Sequence, residues 1–107
     1  MTTRYRIVMD SPLGERRGTL ALTEDGETIS GIFSMLGFDN PVSGHRQGDK
    51  LLLQYQMHTL ISSLNCTSEF CPASGILTGT AQVGKFRIQL HGTAISEGSH
   101  TETVSDQ

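Results

Sequence analysis

Tryptophan is absent from this chain, and long apolar runs, cysteine and clustered basic charge are scarce. Each shortage removes a class of protein. No segment approaches the ~18 apolar residues of a membrane-spanning helix. The opening MTTRYRIVMD carries basic residues with no apolar core behind them, so it does not read as a signal peptide. The expected location is cytoplasmic, with no membrane partner. The formal net charge is −3, and the eight Lys and Arg are scattered apart from Arg4/Arg6 and Arg16/Arg17. A nucleic-acid-binding surface needs a basic footprint that this pattern lacks. Cys66 and Cys71 have no matching histidine pair and make a poor zinc site. In extended chain they stand roughly 16 Å apart, too far for a disulfide. Both are expected as free thiols, as in a reducing compartment. There is no framed Ser–His–Asp arrangement and no phosphate-cradling glycine loop. Neither a metal nor a cofactor is expected. No ten-residue stretch has a helical period.

What is present is alternation. The stretch TISGIFSMLG, residues 28–37, sets Ile29, Gly31, Phe33 and Met35 on one row. ILTGTAQVG, residues 76–84, does the same with Leu77, Gly79, Ala81 and Val83. A glycine inside a strand marks a bend, a bulge or a close backbone approach, and a sheet that coils on itself needs such positions. Further strands are expected at 4–9, 18–23, 42–47, 50–58, about 64–70 and 86–95. The turn signals between them are Asp25-Gly26, Gly48-Asp49, Pro72 to Gly75, and Gly84-Lys85. The inward residues expected to share one core are Leu20, Leu22, Ile29, Phe33, Leu51, Leu53, Tyr55, Phe86, Ile88 and Leu90. A chain of 107 residues is one domain by length. Residues 1–95 are expected to fold and 96–107 to form a disordered polar tail.

Eight short strands joined by short connections favour an antiparallel up-and-down meander, and closing it into a barrel removes both edges. A weak repeat supports this. A shift of 48 residues lays Ile29-Ser30-Gly31 on Leu77-Thr78-Gly79 and Phe38 on Phe86. In strand count and turn pattern the chain resembles a small calycin-type barrel, the architecture of lipocalins and avidin-like proteins. The Gly-x-Trp of lipocalins is missing, as are the tryptophans of avidin-like biotin sites. The resemblance therefore implies only a barrel whose lumen or mouth holds an apolar ligand, and it assigns no residue a role.

Alternating connections sort the loops by end. One end is expected to carry the longer ones, at 10–17, 36–40 and 59–63, and binding residues gather on such loops. That end displays Asp10, Ser11, Leu36, Phe38, Asp39, Asn40 and His58. His58 with Asp10 or Asp39 has the makings of an acid–base pair, since His is the usual general base near neutral pH. In strand four, Val42 pointing inward takes Arg46 with it, whereas Ser43 inward takes His45. Tyr5 and Tyr55 lie on inward rows and can offer hydroxyls to a ligand. The first functional expectation is a module that binds a small, mainly apolar molecule at the longer-loop end through Phe38, Asp39, His58, Arg46, Tyr5 and Tyr55. The alternatives are a barrel isomerase or cyclase using His58, Asp39 or Arg46, and a filled structural barrel that acts as a homo-oligomer or enzyme subunit.

Overall fold

Rows of apolar side chains on one face and polar ones on the other give each strand a side that must leave water. Eight such strands bury those sides against one another. The computed structural model describes residues 2–11 and 14–95. Its strands are β1 (Thr2–Ser11), β2 (Gly14–Asp25), β3 (Thr28–Met35), β4 (Phe38–Gln47), β5 (Lys50–His58), β6 (Ser63–Ala73), β7 (Ile76–Val83) and β8 (Phe86–Ala94). Each pairs antiparallel with the next, and β8 returns to β1, so the sheet is a closed barrel. No helix occurs among the described residues. Gly31 and Gly79 lie within strands, as expected. The tail expected at 96–107 lies outside the described residues.

The inward rows fill the barrel. Nine of the ten expected core residues are buried, joined by Ile7, Met9, Met35, Val42, Met57, Phe70 and Leu77. An eight-stranded barrel has an interior just wide enough for such side chains. Phe86 is the exception, at 61 % exposed. Its parity is inward, but it opens β8 above the last layer of the core and stands on the rim.

Two of the three connections expected to be long are tight. Asp10 pairs with Glu15 and Ser11 with Gly14, so the ladder runs through most of 10–17. Phe38, Asp39 and Asn40 pair with Met35, Ser34 and Phe33, which leaves Leu36-Gly37 as the whole β3–β4 turn. Both turn residues have positive φ, 58° and 85°, the form that matches the twist of a hairpin. Only the β5–β6 connection, residues 59–62, keeps extra length. Likewise β6 continues to Ala73 with Pro72 opposite Leu77, so its turn is Ser74-Gly75 alone.

The 48-residue shift reaches beyond two motifs. It carries β3 onto β7 end for end, and the starts of β1 and β4 onto those of β5 and β8. It also carries Gly44 onto Gly92. The barrel is thus two similar halves, β1–β4 and β5–β8. They join along two seams, β4–β5 and β8–β1, of six residue pairs each. Pairs within a half number eight to ten.

Candidate functional site

The connections β1–β2, β3–β4, β5–β6 and β7–β8 share one end of the barrel, here the loop end. There the β4–β5 ladder stops at Val42 opposite Tyr55. The next residue back along β4 is Pro41, which has no N–H to offer β5. Asn40 closes the gap with its side chain. It is wholly buried. Its Nδ2 donates to the Phe33 carbonyl at 3.0 Å. Its Oδ1 accepts the backbone N–H of His58 at 3.0 Å and lies 2.7 Å from His58 Nδ1. A carbonyl oxygen only accepts, so the ring donates from Nδ1, and Nε2 of the neutral imidazole is left as an acceptor. The Phe38 ring lies against that imidazole, with centroids 6.2 Å apart. Phe38, Asn40 and His58 therefore form one cluster, rigid because its centre is buried and bonded.

Asn40→Ala should strip partners from the Phe33 carbonyl and the His58 N–H together. Each buried group left unpaired costs about 1–3 kcal/mol. We expect a loss of about 2–4 kcal/mol in urea unfolding, and ¹⁵N NMR should show His58 losing its Nδ1–H preference.

The other expected residues sit apart from this cluster. Asp39 points outward and accepts a hydrogen bond from Ser34 Oγ at 2.7 Å. Asp10 is the 48-residue counterpart of His58 and belongs to the opposite seam. The recorded partners of His58 are Asn40 and Phe38, with no carboxylate among them. Tyr55 is core: its hydroxyl meets Ser68 Oγ at 2.6 Å, and burial pushes its pKa up to about 12, so it stays neutral.

Arg46 and Tyr5 lie at the far end, where β1 begins and β8 ends. Val42 is inward, so Arg46 follows it to the barrel mouth. There its guanidinium forks onto Glu24, Nε to Oε1 at 2.8 Å and Nη2 to Oε2 at 3.1 Å. Burial, then the nearby Glu24, raises the Tyr5 pKa. Hydrogen bonding from Arg46 holds the Glu24 carboxyl below its usual range. A depressed carboxylate stabilises the fold above its unfolded pKa of about 4.3 and loses that contribution as pH falls through the folded value. The pair is one-third exposed, so the effect is about 1 kcal/mol or less. Glu24→Gln should melt a few degrees below wild type at neutral pH, with the two curves converging below about pH 4.

What sequence reasoning missed at the loop end is how many large apolar side chains face water beside Leu36. Leu60 and Ile61 are 92 % and 94 % exposed, and Leu36, Leu64 and Phe86 are also exposed there. Of the other large apolar side chains that face water, Ile32 lies on the outer wall and Ile76 near the opposite end. The tip is not slack. Thr59 N–H donates to the Ser62 carbonyl at 2.8 Å, and Thr59 Oγ1 accepts from the N–H groups of Ile61 and Ser62. This hydroxyl-bonded turn holds both aliphatic side chains out. The signal in sequence was a pair of large aliphatics between Thr59 and Ser62-Ser63, with no inward row to receive both. Beneath the rim, Met9, Met35 and Met57 are buried.

A groove of about 620 Å³ crosses the outer wall, lined by Ser43, Gln54, Gln56, Asn65, Thr67 and Gln82 among others. Cys66 and Cys71 are free, and burial raises the Cys66 thiol pKa. No group of three His, Cys, Asp or Glu able to hold a metal occurs among the described residues.

The closed eight-stranded meander is consistent with a calycin-like architecture. No protein-family model matches the chain, and no curated protein or solved structure gives a significant match.

Proposed function

We propose that this protein is a binding barrel that works from its loop end, with its lumen closed by its own side chains. One observation carries the reading: exposed Leu36, Leu60, Ile61, Leu64 and Phe86 are gathered at one end of a barrel whose core is filled. Exposed apolar side chains gathered at one end in this way mark an interaction site. The occupant is apolar where it touches the rim, and Phe38 and His58 Nε2 are placed to contact it. Catalysis gains less support, because His58 is oriented by a neutral amide and no nucleophile or carboxylate joins it in the cluster.

The test is the double substitution Leu60→Asp/Ile61→Asp, made at positions too exposed to matter for the core. Native mass spectrometry of wild type purified from its own host should show a retained mass, either subunit or small molecule. An anilinonaphthalene sulfonate titration of dilute protein should show a bound dye. The double variant should lose both, with a melting temperature within about 2 °C of wild type. Dye binding that ignores the substitution, in a wild type that retains nothing, overturns the proposal.

A further inference from the structure

We infer that the loop end docks on the loop end of a second copy of this chain, forming a two-fold dimer. The inference rests on reading that end as a binding surface and goes on to name its occupant.

The barrel sets the geometry. Around the mouth the connections run β1–β2, β3–β4, β5–β6, β7–β8, so β5–β6 faces β1–β2 across it and β3–β4 faces β7–β8. In an isologous dimer, elements on the two-fold axis meet their own copies, while elements off it exchange places. Put the axis through β5–β6 and β1–β2. Leu60-Ile61 then meets Leu60-Ile61. That contact requires a tip without charge, and the chain from Leu51 to Ser68 contains no Lys, Arg, Asp or Glu. The β3–β4 turn comes over the β7–β8 turn of the other copy. Asp39, beside the first turn, then faces Lys85 in the second, twice in each dimer, and Phe38 faces Phe86. The β1–β2 turn meets itself with both signs present, Asp10 and Glu15 with Arg16 and Arg17.

Turning the axis through a quarter circle spoils every one of these contacts. Asp39 would meet Asp39, Lys85 would meet Lys85, and the aliphatic tip would meet the arginines. Of these two arrangements charge favours the first, in the way that electrostatic complementarity fixes register.

Leu36 points the same way. It is 44 % exposed and holds φ at 58°. A non-glycine residue there is strained, and Asn, Asp or Gly would relieve the strain. A leucine makes sense at that position if its side chain is covered by another molecule. Residues 96–107 offer little apolar surface as a cover. Ile95 donates its N–H to the Arg4 carbonyl at the opposite end, and the sequence after it, SEGSHTETVSDQ, is polar. A lipid surface fits less well, because the charges flanking the rim balance and form no cationic collar.

Sedimentation equilibrium of the purified chain over a wide concentration range tests this. Wild type should show a reversible monomer–dimer equilibrium, and Leu60→Asp/Ile61→Asp should be monomeric. Asp39→Lys alone and Lys85→Asp alone should each weaken dimerisation about tenfold or more, since each places like charges opposite one another twice. The double variant Asp39→Lys/Lys85→Asp should recover to within about threefold of wild type. An equimolar mixture of the two single variants should favour the heterodimer. A chain that stays monomeric throughout overturns the inference, as does a dimer indifferent to Leu60→Asp/Ile61→Asp or a double variant no better than the singles. A monomer that binds dye through its rim, or sediments with phosphatidylglycerol vesicles, overturns the dimer and leaves the binding surface standing. A monomer whose dye binding ignores the rim removes both.

Discussion

Gly44→Ala should cost the barrel most of its stability, and Gly31→Ala nearly as much. A Cβ built on Gly44 falls on the Leu52 carbonyl oxygen, and one built on Gly31 falls on the Ala21 carbonyl oxygen, both far inside the 3.0 Å that real Cβ atoms keep. The obstacles are backbone atoms of the adjoining strand, so no rotamer change relieves them. The strand itself must move. Gly44 lies opposite Leu53 on β5 and Ile29 on β3, inside a ladder on both sides. It also lies on a seam of only six pairs, so moving β5 away opens the barrel where it is thinnest. Overpacking with side-chain atoms alone costs about 1–3 kcal/mol. A clash that displaces backbone should exceed about 4 kcal/mol, close to the whole stability of a small domain. Circular dichroism and urea unfolding read this directly. The control is Gly48→Ala: Gly48 has positive φ but nothing within 4 Å of its Cβ position. It should lose only the strain of a non-glycine residue in that conformation, roughly 1–2 kcal/mol. Equal losses at Gly44 and Gly48 would show that close strand approach is not what these in-strand glycines serve.

Strand interiors were legible and strand ends were not, for a physical reason. Period-two alternation reports which way a side chain points, and the pointing of Leu20, Phe33, Leu53, Leu77 and Leu90 followed from it. It does not report depth. Phe86 has the same parity as Ile88 and Leu90, yet stands above the core on the rim. Gly14 and Pro41 read as loop punctuation, but pairing needs only that a neighbour's hydrogen bonds be met. Pro41 sits in β4 opposite Ile32, at the point where the ladder to β5 has run out. Asn40 was hidden for the same reason. Asn beside Pro reads locally as a turn, whereas its work is to meet His58, eighteen positions away, across a seam that exists only once the barrel closes. The register of β4 was open between Arg46 and His45. It is settled by Val42 entering the core, which brings Arg46 to Glu24. Of the six residues expected to bind, the fold brings two together at the loop end, Phe38 and His58. The loop-length argument that pointed there survives only at residues 59–62.

Phe33→Ala should destabilise the fold by about 3–5 kcal/mol and, in doing so, make the pocket that the wild-type lumen lacks. Phe33 is among the largest fully buried side chains. Its ring meets Tyr55 edge to face, centroids 5.4 Å apart and planes at 71°, a geometry that adds to simple burial. Tyr55 in turn holds Ser68, so Phe33 on β3 is tied through Tyr55 on β5 to Ser68 on β6. Removing the ring leaves a void lined by apolar side chains. Such voids stay dry and accept small apolar molecules such as benzene or xenon. A ligand that binds only the folded form raises its stability by mass action. Saturating benzene should therefore restore part of the lost melting temperature in Phe33→Ala and leave wild type unchanged. That pair of results separates a filled barrel from an open one. Wild type gaining several degrees with benzene would mean that the lumen already has room, and binding would then belong inside the barrel rather than on its rim. A loss below about 0.5 kcal/mol in the variant would show that Phe33 does not fill the core at all.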